Sequence, residues 1–205
     1  MKLGLVLGAG GTVGIAYHAG VLRALEQVAG ITPDDADLVV GTSAGSVVGA
    51  YLRAGWTPAD LWSFALGTHP SYDGLSAEEV EERNRAILAP AFSHPVDFVR
   101  RGVGSAYVAT RALVRVPPVV LRALPRAPRV LTRAFPGGLF AMKEGQRRFA
   151  EELPVGWPER RLYLVAYDIE HGRRIVLGRP GRAPLVSLQK AVLASCAIPG
   201  VYPPV

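Results

Sequence analysis

Cysteine is almost absent from this sequence of 205 residues. Cys196 is the only one, so no disulfide can form within the chain, and no cluster of cysteines and histidines has the spacing of metal ligands. We therefore expect a protein of a reducing compartment, located in the cytoplasm, that holds neither a metal ion nor another cofactor.

Long uncharged apolar runs are also missing. None reaches the roughly 18 residues that a membrane-spanning helix needs. The run LGLVLGAGG that follows Lys2 has the composition of a short secretory signal, but a buried strand ending in a glycine turn explains the same residues better. The sequence thus predicts a protein that does not cross a bilayer.

Acidic residues are missing between Phe98 and Lys143. The chain is also basic overall, with a formal charge of +6. Arginines recur there at spacings of three, four and seven residues, which aligns them on one side of helical turns. They are Arg111, Arg115, Arg122, Arg126, Arg129 and Arg133. We interpret residues 70–150 as a basic insert of short amphipathic pieces that either binds an anionic membrane surface or only caps the core. Nucleic acid is not expected, because aromatic residues are not interleaved with the basic ones.

Strand and helix patterns alternate along the chain. Short apolar runs at 2–7 and 37–42 are typical of buried strands, and apolar residues recur with helical spacing at 15–29 and 46–54. This alternation predicts an α/β fold in which a mostly parallel sheet is covered by helices on both faces. The length favours one domain over residues 1–205.

Several local signals add elements to this outline. Thr57, Pro58 and Asp60 predict a helix start by N-cap, N1 proline and first-turn acid, and Ser76 with Glu79 predicts a capping box. The runs RRLYLVAYD and RRIVLG predict an antiparallel hairpin, and LVSLQKAVLASCA predicts a last helix.

A serine lies between two glycines in GTSAGS, where the second strand gives way to a helix. In a Gly-x-Ser-x-Gly turn the serine has a strained backbone, and Gly41 and Gly45 remove side chains that would collide with neighbouring elements. Ser43 would then be exposed at the carboxyl end of the strand, beside the amides of a helix N-terminus. This pattern is typical of a nucleophile, although a turn serine that caps the helix is the simpler alternative.

The earlier loop GAGGTVG supplies amides for an oxyanion. Gly10 and Gly11 have no side chains, so their N–H groups can approach a substrate carbonyl closely. Gly8, Gly11 and Gly14 also resemble a dinucleotide-binding loop, which would need an acid beyond the second strand. The available acids, Asp34, Asp35 and Asp37, precede that strand, so an oxidoreductase remains the weaker alternative.

Four other residues have side chains that could take part in catalysis. Asp168 follows the strand LYLVAY and is interpreted as a hairpin residue rather than a base. His18 is interpreted as structural, and Cys196 as a small buried residue, although both have reactive side chains. Ser195 lacks a glycine elbow and is not expected to be a nucleophile.

The glycine loop with GIAYHAGVLRALE, the elbow GTSAGS and the closing AVLASCAIPGVYPPV together resemble the patatin-like phospholipase family. The resemblance implies a three-layer α/β/α sandwich and a Ser-Asp dyad that hydrolyses acyl esters of lipids such as phospholipids. It implies Ser43 as nucleophile and the amides of Gly10, Gly11, Thr12 and Ala44 as the oxyanion hole. We expect such an enzyme to be peripheral at the membrane surface, docked through the arginine-rich insert.

The sequence departs from this family in two places. Ala9 and Val13 stand where the family has a glycine and a basic residue. The aspartate motif of the family would follow the closing prolines, and it does not occur before Val205. We therefore expect the base beyond residue 205 and the chain as written to be nearly inactive. A catalytically inactive lipid-binding module is the alternative.

Overall fold

The computed structural model of the protein describes residues 2–76, 78–80, 82, 90–113, 137–169, 173–181 and 184–205, with backbone only at 111–113. Its strands are β1 (Gly4–Leu7), β2 (Leu38–Thr42), β3 (Arg161–Asp168) and β4 (Arg173–Leu177). Its helices are α1 (Gly11–Ala29), α2 (Ala44–Arg53), α3 (Pro58–Ala65), α4 (Pro95–Leu113), α5 (Lys143–Glu152) and α6 (Leu188–Cys196). Short 3-10 turns occupy Pro33–Asp35 and Pro70–Tyr72.

The four strands form one mixed sheet in the order β1-β2-β3-β4. β1 and β3 both run parallel to β2, whereas β4 is antiparallel to β3. The last register pair between β2 and β3 joins Thr42 to Val165, so the chain leaves the sheet immediately after it at Ser43. The predicted parallel pairing and the predicted hairpin are both confirmed.

Helices flank this sheet and bury its apolar side chains. α2 lies against β1, β2 and β3, and α6 lies against β3 and beside α2. Val39 of β2 and Leu164 of β3 are fully buried, as are Val48 of α2 and Leu188 of α6. The protein is therefore an α/β sandwich built on a mostly parallel sheet, as the sequence predicts.

Both helix starts that follow glycine turns lie earlier than the sequence indicates. α1 begins at Gly11 and α2 at Ala44, whereas apolar periodicity places them at residues 15 and 46. The difference arises because glycine and alanine in a first turn give no periodic signal, although they can be helical. The cap at Thr57 is present, with its Oγ1 accepting from the Asp60 N–H, and Ser76 and Glu79 make their reciprocal bonds.

The described part of the predicted insert contains two helices that the sequence patterns did not identify. α4 is a helix of 19 residues, and α5 has paired charges, in which Arg147 contacts both Glu144 and Glu151. The arginines at 115, 122, 126, 129 and 133 lie outside the described residues. Among the described helices, none has the length and apolar character needed to cross a membrane.

Candidate active site

Ser43 has the strained backbone that the elbow pattern predicts. Its φ is 53° and its ψ is −116°, and it is the only residue other than glycine with a positive φ in the described ranges. A side chain in this region costs about 1–3 kcal/mol, so the surrounding contacts must hold it. The residue stands between the last pair of β2 and the first turn of α2, at the carboxyl end of the strand.

The two glycines of the elbow are required by close backbone contact. A Cβ on Gly41 would overlap the carbonyl oxygen of Gly45, and a Cβ on Gly45 would overlap the carbonyl oxygen of Leu7 in β1. The Gly45 N–H also donates to the Gly8 carbonyl at 3.0 Å. The elbow is thus fastened directly to the glycine loop.

The glycine loop closes onto the same place from β1. The Gly14 N–H donates to the Gly10 carbonyl at 2.9 Å, and a Cβ on Gly10 would lie 2.7 Å from the Gly14 Cα. A Cβ on Gly14 would lie 3.1 Å from the Ala44 Cβ. The first turns of α1 and α2 therefore contact each other, and this contact brings the two glycine motifs together.

The backbone amides at these two helix starts have unused hydrogen-bonding capacity. Within the described ranges, the N–H groups of Gly10, Gly11, Thr12 and Ala44 have no acceptor. First-turn amides lack partners inside their own helix, so they can donate to an external oxygen. The arrangement has the donors that an oxyanion hole requires, while their use by a substrate stays a prediction.

Serine side chains surround the backbone of Ser43. The Ser43 N–H donates to the Ser195 Oγ at 2.9 Å, and the Ser46 Oγ donates to the Ser43 carbonyl at 2.6 Å. Ser195 lies in the last turn of α6, separated from Ser43 by 152 positions. Sequence patterns gave no signal for this contact, because local spacing does not report long-range neighbours.

Cys196 is partly buried next to this cluster. Its Sγ lies 3.7 Å from the Ser46 Oγ. Burial raises the pKa of the Cys196 thiol, against a smaller lowering by hydrogen bonds from Ser46 and Ser43. The thiol is therefore protonated at neutral pH, which disfavours a role as nucleophile.

His18 and Asp168 make contacts that fit structural roles. The His18 Nε2 lies 2.9 Å from the Gly8 carbonyl oxygen, so the ring supports the glycine loop from α1. Asp168 ends β3 and pairs with Arg173 of β4 at 3.4 Å. Residues 170–172, between the two strands, lie outside the described residues.

The acids considered for dinucleotide binding lie at the wrong end of β2. Asp37 accepts from the Leu3 N–H at 2.8 Å, and Asp34 pairs with Arg160. Asp35 accepts from Thr32, and these hydrogen bonds lower the pKa of its carboxyl. All three precede the strand, whereas a ribose would bind beyond its carboxyl end. No metal-binding cluster of acids, histidines or cysteines occurs among the described residues.

A profile of the patatin-like phospholipase family matches residues 5–205. The chain belongs to the patatin-like phospholipase family. Membership confirms the resemblance that the glycine loop and the GTSAGS elbow indicated. The family is named for phospholipases.

Two fungal lysophospholipases are similar to about half of this patatin-like chain. Lysophospholipase NTE1 of Coccidioides immitis (strain RS) is 42% identical over 113 residues, which are 47% of this chain and 7% of that protein. Lysophospholipase nte1 of Aspergillus fumigatus is 41% identical over 100 residues, which are 42% of this chain and 6% of that protein. The chain therefore spans a small part of the length of these relatives.

Two solved structures are also similar to the patatin-like chain. The type III effector protein ExoU has a TM-score of 0.46 and 20% identity, over 98% of this chain and 41% of that one. VipD from Legionella pneumophila has a TM-score of 0.43 and 19% identity, over 98% of this chain and 43% of that one.

Proposed function

We propose that this protein hydrolyses acyl esters of lipids, of the phospholipid or lysophospholipid type, with Ser43 as the nucleophile. The observation that carries the proposal is the strained backbone of Ser43 at the end of β2, fastened to the glycine loop by the hydrogen bond from Gly45 to Gly8. A strained serine at this position of an α/β sheet is costly to fold and is typical of nucleophile elbows.

The proposed reaction begins when the Ser43 Oγ attacks the ester carbonyl. Negative charge then develops on the carbonyl oxygen, where the amides of Gly10, Gly11, Thr12 and Ala44 would donate to it. Loss of one such donor typically raises the barrier by about 3 kcal/mol. The alcohol product leaves, and water hydrolyses the acyl group on Ser43 to release the fatty acid.

The general base for the Ser43 proton stays a prediction from the family resemblance, which implies an aspartate. In the described part of the chain, no carboxylate or imidazole is hydrogen-bonded to the Ser43 hydroxyl. The second candidate function is a lipid-binding protein that has the pocket of the family but no turnover.

We further propose that the protein acts in the cytoplasm as a peripheral protein on anionic membrane surfaces. α4 supports this proposal, because apolar side chains at spacings of three and four residues are exposed along it. They are Val96, Val99, Val103 and Tyr107. Arg100 is exposed on the same helix, and the chain carries a formal charge of +6. Apolar contact with basic neighbours is the pattern of helices that lie in a membrane interface.

A fluorophosphonate probe separates the two candidate functions. The protein for this experiment extends beyond residue 205, where the aspartate is expected, and it is the wild type of every labelling experiment below. We expect its covalent labelling and its release of fatty acid from lysophosphatidylcholine, both abolished in Ser43→Ala. Vesicle binding without labelling would favour the lipid-binding candidate. Labelling that persists in Ser43→Ala would refute Ser43 as the nucleophile.

Vesicle flotation tests the membrane surface. We expect binding to phosphatidylserine vesicles that weakens as salt rises, because surface charges are screened. The double variant Val99→Asp with Val103→Asp should float less, whereas Val155→Asp, which alters an exposed valine outside α4, should float like the wild type. Equal flotation of all three proteins would remove α4 from the proposal.

A further inference from the structure

The carbonyl and the N–H of Ser43 differ in the number of hydrogen bonds that they make. Its carbonyl accepts three hydrogen bonds, from the Ser46 Oγ at 2.6 Å, the Ser46 N–H at 2.8 Å and the Val47 N–H at 3.1 Å. Its N–H makes one, to the Ser195 Oγ at 2.9 Å. Three hydrogen bonds thus hold the strained residue to α2, whereas its N–H is held by one side chain, that of Ser195.

Ser195 is itself fixed by a second bond. Its Oγ donates to the Val165 carbonyl of β3 at 2.6 Å. A hydroxyl has one hydrogen, so this bond leaves the lone pairs of Ser195 to accept from Ser43. Val165 is the register partner of Thr42, the last residue of β2. The hydroxyl therefore bridges the two strands one residue beyond the point where β2 leaves the sheet.

We propose that Ser195 is a positioning residue, which holds the Ser43 backbone in its reactive conformation by bridging the Ser43 N–H to the Val165 carbonyl. This inference rests on the proposed function for its catalytic consequence. Ser195 is not assigned as a nucleophile, because its hydroxyl donates to the Val165 carbonyl and its oxygen accepts from the Ser43 N–H.

The proposal predicts what removal of the hydroxyl does. Ser195→Ala leaves the Ser43 N–H and the Val165 carbonyl without their shared partner, so the elbow can relax from its positive φ. We expect the maximal rate of Ser43 labelling by a fluorophosphonate to fall roughly ten- to a hundredfold, the effect of leaving partly buried polar groups unpaired. The probe concentration for half-maximal rate should stay unchanged, since Ser195 does not touch the ligand.

Amide hydrogen exchange gives a readout that does not require activity. The Ser43 amide should exchange at least about tenfold faster in Ser195→Ala than in the wild type, because its acceptor is gone. Ser195→Thr keeps the hydroxyl and should restore both slow exchange and labelling. Ser187→Ala is the matched control, because Ser187 caps the other end of α6 through Lys190 and does not contact the elbow.

The outcomes separate the proposal from the function on which it rests. If the wild type is not labelled at Ser43, the nucleophile assignment fails, and Ser43 exchange still tests the bridge. Ser43 exchange and labelling within about twofold of wild type in Ser195→Ala would overturn the proposal. So would equal losses in Ser187→Ala. If Ser195→Ala does not fold, Ser195→Cys serves instead, because cysteine has a similar volume and its sulfur is a weaker acceptor. Labelling and Ser43 exchange at wild-type rates in Ser195→Cys would also overturn the proposal.

Discussion

Gly45 offers a sharp test of how the two glycine motifs are joined. Substitution by alanine places a methyl group against the Leu7 carbonyl, so α2 must move away from β1. Overpacking of this kind costs about 1–3 kcal/mol, and weakening the bond from the Gly45 N–H to the Gly8 carbonyl adds about 1 kcal/mol. Gly45→Ala should therefore lower the free energy of unfolding by about 2–4 kcal/mol, a large share of typical domain stability.

Urea unfolding followed by tryptophan fluorescence measures this loss. Gly4→Ala is the matched control, because Gly4 lies in β1 and its Cβ would meet no atom within 4 Å. We expect that variant to stay within about 0.5 kcal/mol of the wild type. If Gly45→Ala were as stable as Gly4→Ala, the inferred contact between α2 and β1 would be wrong.

Two further predictions concern backbone strain and acid sensitivity. Ser43→Gly should raise the free energy of unfolding by about 1 kcal/mol, because glycine adopts positive φ without strain, while labelling disappears; a loss of stability in urea unfolding would argue against strain at this residue. Hydrogen bonds from Thr57 lower the pKa of Asp60 below its usual value of 3.8. The ionised Asp60 carboxylate therefore stabilises the folded state fully at pH values above its usual pKa of 3.8. This stabilisation is lost as the pH falls through the lowered pKa of Asp60 in the folded state. Asp60→Asn should remove this part of the acid dependence of the free energy of unfolding below about pH 5. A profile that Asp60→Asn leaves unchanged would contradict the assignment.

The elements around Ser43 could be predicted from the sequence because their signals are local. Gly41 and Gly45 flank the serine at fixed spacing, and the structure gives each of them a steric reason. The cap at Thr57 and the hairpin of β3 and β4 follow from similar short-range patterns. Local chemistry thus determined the part of the fold that presents Ser43.

Other features depend on contacts that no short pattern reports. α5 is rich in charged residues, such as Glu144 and Arg147, and has little apolar periodicity. The ion pairs between side chains three and four residues apart therefore indicate this helix better than its apolar residues do. Ser195 meets Ser43 because α6 lies beside α2 over the sheet, which only the three-dimensional arrangement shows. The first turn of α1 could not be predicted from the sequence, because its glycines are equally typical of loops.

The central claim is that the Ser43 hydroxyl faces the amides of the glycine loop and of α2. A crystal structure of the protein covalently phosphonylated by a fluorophosphonate tests it directly. We predict that the phosphonate is on the Ser43 Oγ, with one phosphonyl oxygen about 2.7–3.1 Å from at least two of the amide nitrogens of Gly10, Gly11, Thr12 and Ala44. A phosphonate on another residue, or one whose oxygens contact none of these amides, would contradict the account.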